Sequence, residues 1–350
     1  QMLSINGKII GIVPEVAFSL SGDALMRGEF APSSIELFGP RIKIRRDRDG
    51  SIDIGLGTDT VSKLEAFDHR LLDVLMAPPT LDQPLSFLSR VTVAGGAITV
   101  NDQLLKKKWN FPVADIRLNR GSAGLAGEVN LVLEEGGLSN ELFAEGTLSF
   151  SEKWITLGGR FRDVTPAMFS SIGFDWAPLK ALNMPFSGDV QVAFQLDGDL
   201  HEAQLELKGQ NGRILLPLPL RQDLDVAELN LTANFVKGSG IHVENLDLSF
   251  AAGTSVNLPS LFNQPKPLRR IVLEGGLSAD QDTLQIRSLM LDSGGPIVQL
   301  SADLSGIGHK EKMIRASVSG GINSISVSKL TEYWPPRLAP DPRAWVTERV

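Results

Sequence analysis

The chain has 350 residues, 42% of them hydrophobic, and no cysteine, which excludes a disordered polymer and removes disulfides, thiolate metal sites and cysteine nucleophiles. A net charge of −7 with one short strongly basic stretch lacks the basic face of a nucleic-acid binder. Six per cent aromatics with a single tyrosine, Tyr333, does not supply the aromatic girdles of an outer-membrane barrel.

Apolar and polar residues alternate along most of the chain, the period that puts one set on one face of a sheet. Roughly sixteen strand-like stretches, parted by Gly, Asn, Asp and Pro turns, run from about residue 5 to about residue 328. Residues 41–46 and 51–56 flank Asp49-Gly50, a hairpin turn, with Ile52, Ile54 and Leu56 alternating with Ser51, Asp53 and Gly55. Residues 60–76 break the pattern. Leu64, Phe67, Leu71 and Leu75 recur at spacings of three and four opposite Lys63, Asp68, Arg70 and Asp73, which predicts an amphipathic helix stopped by Pro78-Pro79.

Alternation resumes beyond the prolines. Val129, Leu131 and Leu133 form one set; Val190, Val192, Phe194 and Leu196 form another. The turn Asp197-Gly198-Asp199 leads to a strand carrying Leu205 and Leu207. A further strand over 227–235 carries Leu229, Leu231 and Phe235 and turns at Gly238-Ser239-Gly240. Short helical turns are expected from Thr165-Pro166 to Ser171, over 178–182, and from Asp341-Pro342 onward. The predicted organisation is N-terminal strands over 1–59, the amphipathic helix over 60–79, a continuous one-sided sheet over 80–330, and a Trp-Pro-Pro segment with the start of a helix over 331–350. Weak internal echoes link residues 132–138 with 272–277, and Ser187-Gly188-Asp189 with Ser21-Gly22-Asp23; they read either as a structural repeat or as the product of turn grammar alone.

No catalytic kit stands out. There is no Gly-x-Ser-x-Gly elbow and no phosphate loop, and Gly55-Leu56-Gly57 lacks the third glycine of a dinucleotide fingerprint. His69, His201, His242 and His309 are isolated from one another and read as surface or turn residues rather than metal ligands. Asp47, Asp49 and Asp53 lack the further carboxylates of a calcium loop and read as a charged hairpin tip. Asn230-Leu231-Thr232 fits a glycosylation sequon but sits mid-strand. Arg41, Lys43 and Arg45 share a strand face opposite Ile42 and Ile44; they read either as contacts to anionic lipid headgroups or as a solvated outer face. Lys106-Lys107-Lys108 before Trp109 reads the same two ways. These absences point to a non-enzymatic protein without cofactor or metal.

The segments Leu330-Thr331-Glu332-Tyr333-Trp334-Pro335-Pro336, Leu338-Ala339-Pro340 and Arg343-Ala344-Trp345-Val346 resemble the AsmA-like family, in particular its YhdP-type large envelope proteins. Leu291-Asp292-Ser293-Gly294-Gly295-Pro296, Lys108-Trp109-Asn110-Phe111-Pro112 with Gly124-Leu125-Ala126-Gly127, and Met184-Pro185-Phe186-Ser187-Gly188 are similar to segments of the same family. The resemblance implies a mostly β protein whose long curved antiparallel sheet forms an apolar, taco-like groove. It implies a periplasmic location, anchorage in the bacterial inner membrane through an N-terminal helix missing here, and phospholipid movement between the membranes. It carries over no catalytic residues. A start at Gln1 and an end at Val350, inside a helix-like stretch, fit a piece of a longer chain.

The physics accommodates that expectation. Each acyl methylene left in water costs ~0.8 kcal/mol, so a chain of about fifteen costs on the order of 12 kcal/mol. Strands ~4.8 Å apart make sixteen of them a track about 75 Å long. Under this reading the groove is lined by Ile52, Ile54, Leu56, Val129, Leu131, Leu133, Val190, Val192, Phe194, Leu196, Leu205, Leu207, Leu229, Leu231 and Phe235, with phospholipid acyl chains as the partner. The same alternation arises in a structural or adhesive β-rich surface protein whose apolar face is sealed as a dry core.

Overall fold

The structure, a computed structural model, describes residues 2–3, 9–11, 15–48, 52–56, 77–79, 84–103, 106–135, 137–166, 181–196, 198–216, 220–308, 313–323, 325–336 and 340–349. Most of them are strand. The expected amphipathic helix over 60–76 and the Asp49-Gly50 turn lie outside the described residues, as do nearly all of the helical turns expected at 165–171 and 178–182. Among the described residues no helix is long and apolar enough to cross a membrane. The chain divides into two compact units: residues 1–164, 171–174 and 189–201, and residues 165–170, 175–188 and 202–350.

The first unit contains β1 (Met2–Leu3), β2 (Ile9–Gly11), β3 (Glu15–Leu20), the short helix α1 (Gly22–Met26), β4 (Pro32–Phe38), β5 (Arg41–Arg46), β6 (Ile52–Leu56), a 3-10 turn at Pro84–Phe87, β7 (Arg90–Asp102), β8 (Lys107–Arg120), β9 (Gly124–Glu135), β10 (Leu138–Ser149) and β11 (Trp154–Val164). β7 to β11 form consecutive antiparallel hairpins. β4 and β5 both run parallel to β7, β4 along its first half and β5 along its second. The two act as one interrupted strand. The chain steps at Gly39-Pro40 beside a bulge at Gly95, whose φ of +61° a side chain would oppose. β3 pairs with β4, and β6 with β5. Ser21 caps α1 by accepting the Ala24 N–H.

The second unit contains β12 (Leu182–Asn183), the start of β13 (Phe186–Gln195), most of β14 (Leu200–Leu215), then β15 (Asp223–Val236), β16 (Gly240–Phe250), β17 (Ser255–Val256), β18 (Lys266–Pro267), β19 (Arg270–Ser278), β20 (Thr283–Asp292), β21 (Ile297–Ser305), β22 (Arg315–Asn323), α2 (Val327–Tyr333) and α3 (Pro340–Arg349). Its sheet runs β12-β14-β15-β16-β19-β20-β21-β22, antiparallel throughout, with β17–β18 a small separate hairpin. β22 pairs with β21 alone among the described residues, so the sheet ends in an unpaired edge rather than closing on itself.

Strict alternation fails at particular places, and bulges repair it. Gln210-Asn211, Ala227-Glu228, Glu244-Asn245 and Arg287-Ser288 are exposed doublets, each followed by an apolar residue or glycine that returns to the apolar face. Each doublet adds one residue to its strand, and Asn211 takes the left-handed conformation (φ +53°) that such a position asks for. The sequence echoes do not repeat in structure. Gly137 sits in the β9–β10 turn at φ +82°, whereas Gly275 and Gly276 lie within β19. Ser21 caps a helix, whereas Ser187 lies within β13.

Buried packing concentrates at the strand ends. In the second unit Met184 (2% exposed) and Phe186 (3%) cover the end of the sheet holding Val226, Leu229, Leu248 and Phe250. They press on a floor of glycines, where a Cβ at Gly209 would come within 2.7 Å of the Met184 Sδ. At the same end β18 is tied to α2: the buried Lys266 ammonium lies 4.9 Å from the Tyr333 ring centroid and 5.2 Å from that of Phe262, and ion-pairs with Glu332 at 3.7 Å. Phe186→Ala is expected to cost about 3–5 kcal/mol, whereas Val318→Ala, at the exposed β22 edge, should stay within about 0.5 kcal/mol. Denaturant unfolding of the full chain measures both.

Candidate functional site

The most distinctive surface is one face of the second unit's sheet. Register aligns its side chains into four rows that each cross seven strands. One row reads Leu205, Ala233, Val243, Gly275, Ile286, Ala302, Val318. The next reads Leu207, Leu231, Leu246, Leu273, Leu289, Leu300, Gly320. The flanking rows run from Ala203 through Phe235 and Ile241 to Ala316, and from Gly209 through Leu229 and Leu248 to Ile322. No polar side chain interrupts any row. Directly paired side chains on one face of an antiparallel sheet stand ~4.5–5.5 Å apart, so each row is in continuous lateral contact.

Burial along these rows is graded. Gly209, Leu229 and Leu248, under the Met184–Phe186 cover, are buried, and so is Gly275. The other row members on β14 to β21 are half-buried, apart from the exposed Ile241. At the β22 edge every member is exposed, Val318 by 63%. A sheet face packed ~10 Å from a second sheet is covered by interdigitating side chains; here neighbours along the sheet supply most of the shielding.

The first unit repeats the pattern. Leu37, Val93, Ile116, Val129, Ala144 and Gly159 form a row, and Ala114, Leu131, Leu142 and Phe161 another. Ala114, Leu133 and Trp109 are buried at one end; Ala24, Leu88 and Leu148 are also buried in this unit. At the β3 edge Val16, Phe18 (68%) and Leu20 are exposed.

The opposite faces carry charge. Arg117 meets Glu128 directly across β8–β9, and Arg213 meets Asp225 across β14–β15. Arg160 meets Asp189 at 3.0 Å. Arg270 grips Asp247 through two bonds of 2.5 and 2.7 Å. That grip holds the Asp247 carboxyl below the usual carboxylate range and raises the Arg270 guanidinium.

The sequence-predicted lining residues fall into groups. Val129, Leu131 and Leu133 share the first unit's apolar face, Leu133 fully buried. Leu205, Leu207, Leu229, Leu231 and Phe235 share the second unit's rows, with Leu229 buried and the rest half-buried. Val190, Val192 and Phe194 are half-buried on β13; Leu196 lies one residue past that strand, exposed, its N–H bonded to the Lys153 carbonyl. Ile54 and Leu56 pair in register with Ile44 and Ile42, and Ile52 with Arg46. Arg41 is exposed, while Lys43 and Arg45 are half-buried and Arg45 pairs with Asp47 at 3.2 Å. Lys107 stacks on Trp109, 4.1 Å from its ring centroid. On β19 and β20 Gly275-Gly276 and the exposed doublet Arg287-Ser288 hide the alternation from the sequence.

The nearest approach to a catalytic pair is Ser239 with His242, 2.8 Å apart at the β15–β16 turn. The two lie three residues apart beside a surface turn, with no carboxylate bonded to the imidazole among the described residues, so they lack the third member that orients a base. Among the described residues no group of three or more His, Asp or Glu is placed to hold a metal. No family model, curated protein or solved structure matches the chain significantly.

The ion pair gives a pH prediction. A carboxyl depressed on folding stabilises the native state above its unfolded pKa of about 3.9, and that contribution fades as pH falls through the lower folded value. Asp247→Asn should therefore lower stability at neutral pH by less than about 1 kcal/mol, as for an exposed pair, and flatten the acid limb of the stability curve below about pH 4. Urea unfolding across pH 2–7 reads both effects.

Proposed function

We propose that this chain is a non-enzymatic segment of an AsmA-like envelope protein that shields lipid acyl chains in a hydrophobic groove. On this reading it works in the periplasm as part of an inner-membrane-anchored protein and supports phospholipid transport between inner and outer membranes, and so outer-membrane homeostasis. The Trp-Pro-Pro, Gly-Gly-Pro and Met-Pro-Phe segments supply the resemblance. The observation that carries the reading is the set of four uninterrupted apolar rows left largely half-exposed. Seven strands at ~4.8 Å span about 30 Å, twice the ~15 Å hydrocarbon depth of one leaflet. A surface of that extent suits a chain that slides better than one held at a point, and it needs no polar site.

A structural or adhesive protein with a sealed core is the alternative. The packing around Met184 and Phe186 is what that reading expects of the whole face, and within the four rows it reaches only Gly209, Leu229 and Leu248.

Photo-crosslinkers at Leu205 and Leu246, with Glu206 and Asn245 as opposite-face controls, test the proposal in cells. Phospholipid adducts should form at the first pair and not at the second. A folded protein with no adduct at any apolar-face position would refute it.

A further inference from the structure

One charged residue ends an apolar row of the first unit. β8 carries Ala114, Ile116 and Leu118 on its apolar face, and the next residue of that phase is Arg120. Arg120 is 7% exposed. Its Nε and Nη2 donate to the Ala77 carbonyl at 3.1 and 2.8 Å, and its Nη1 to the Ser86 carbonyl at 3.3 Å. These acceptors are neutral and engage three of the five guanidinium N–H groups. No carboxylate among the described residues pairs with it. Burial lowers the proton affinity of the guanidinium, the direction expected of a buried cation without a counter-charge.

A cavity of about 470 Å³ adjoins it. Ser21, Ser33, Ser86, Ser89 and Ser122 contribute to its wall, and Asp23 is the single carboxylate in the lining. The Ser33 and Ser89 hydroxyls already donate to carbonyls. Ser21 Oγ accepts the Ala24 N–H and keeps its own proton to donate, and Ser122 is exposed. A buried cation is stabilised by an anion that reaches it, and a forked guanidinium beside hydroxyl donors matches phosphate geometry.

We propose that this cavity binds a phosphate group, with Arg120 supplying the charge and Ser21 and Ser122 further donors. An apolar row ending in a cation suits a phosphate-bearing amphiphile whose chain lies back over Leu118 and Ile116; the same chemistry would take free phosphate. The amphiphile form rests on the lipid-shielding reading above.

The full chain is titrated with short-chain phosphatidic acid below its micellar concentration, with diacylglycerol of the same chain length, and with inorganic phosphate, by calorimetry. Arg120→Gln should weaken phosphatidic acid at least tenfold and leave diacylglycerol unchanged. Ser122→Asp keeps Arg120 and its carbonyl bonds but supplies a carboxylate; it should produce the same loss and carries the test if Arg120→Gln does not fold. Phosphatidic acid binding that neither folded variant alters overturns the site, while diacylglycerol binding by the wild type leaves the lipid-shielding reading standing. Arg120-dependent binding of phosphate and phosphatidic acid with none of diacylglycerol supports the site and counts against that reading. Phosphate bound as tightly as phosphatidic acid supports the site with free phosphate as its ligand. Failure of all three ligands overturns both.

Discussion

Cross-strand register is the constraint on which everything else in this molecule depends. Side chains alternate with a period of two, so a one-residue slip would turn a strand's apolar set to the opposite face. The rows from β14 to β22 survive because each exposed doublet is absorbed by a bulge before the next apolar residue. Without the bulge at Glu244-Asn245, Leu246 and Leu248 would face the charged side among Asn230 and Asp247. The bulges on β14 and β15 fall opposite one another, since Gln210 pairs with Glu228 and Gly212 with Val226. The register across that pair is therefore the same on either side of the irregularity.

Aligned rows create a face that must be shielded, and the two units shield it unevenly. Local pieces close the strand ends: Met184 and Phe186 over the glycine floor of β14, and, in the first unit, Ala24 of α1 and Leu88, the residue after the 3-10 turn. The middle rows are left half-buried. Hydrophobic stabilisation scales with area removed from water, about 25 cal/mol per Å², so half-buried rows retain a sizeable unsatisfied apolar area. On the proposed lipid-shielding function, that residual area is what would draw an acyl chain. The edges have the same character. Among the described residues β3 pairs with β4 alone and β22 with β21 alone, and both present exposed apolar side chains, an arrangement that sheet edges generally avoid or cover.

Charge is arranged to leave those rows undisturbed. Ion pairs such as Arg117–Glu128 and Arg270–Asp247 stand on the solvated faces, where their desolvation cost is small. Lys266 is the counterexample that makes the point: buried, it is held by two aromatic rings and Glu332, and it fastens α2 against β18. Among the described residues Arg120 has only carbonyl oxygens for partners, and so stands apart from the other buried charges described.

The sequence by itself determined the class of the molecule. Alternation at Leu205-Leu207, at Val129-Leu131-Leu133 and at Leu229-Leu231 is a local property, and it marked strand and apolar face together. Asp341 in the first turn of α3 was equally readable from capping grammar. Only tertiary structure decided which strands continue those rows. Arg287-Ser288 and Gly275-Gly276 look like interruptions until bulge and register show Leu289 beside Leu273 and Ile286 beside Gly275. Arg120 likewise reads as one more surface arginine until the chain near Ala77 and Ser86 folds over it. The physical reason is common to both cases. Periodicity is written within a strand, whereas burial depends on what a distant part of the chain brings alongside it.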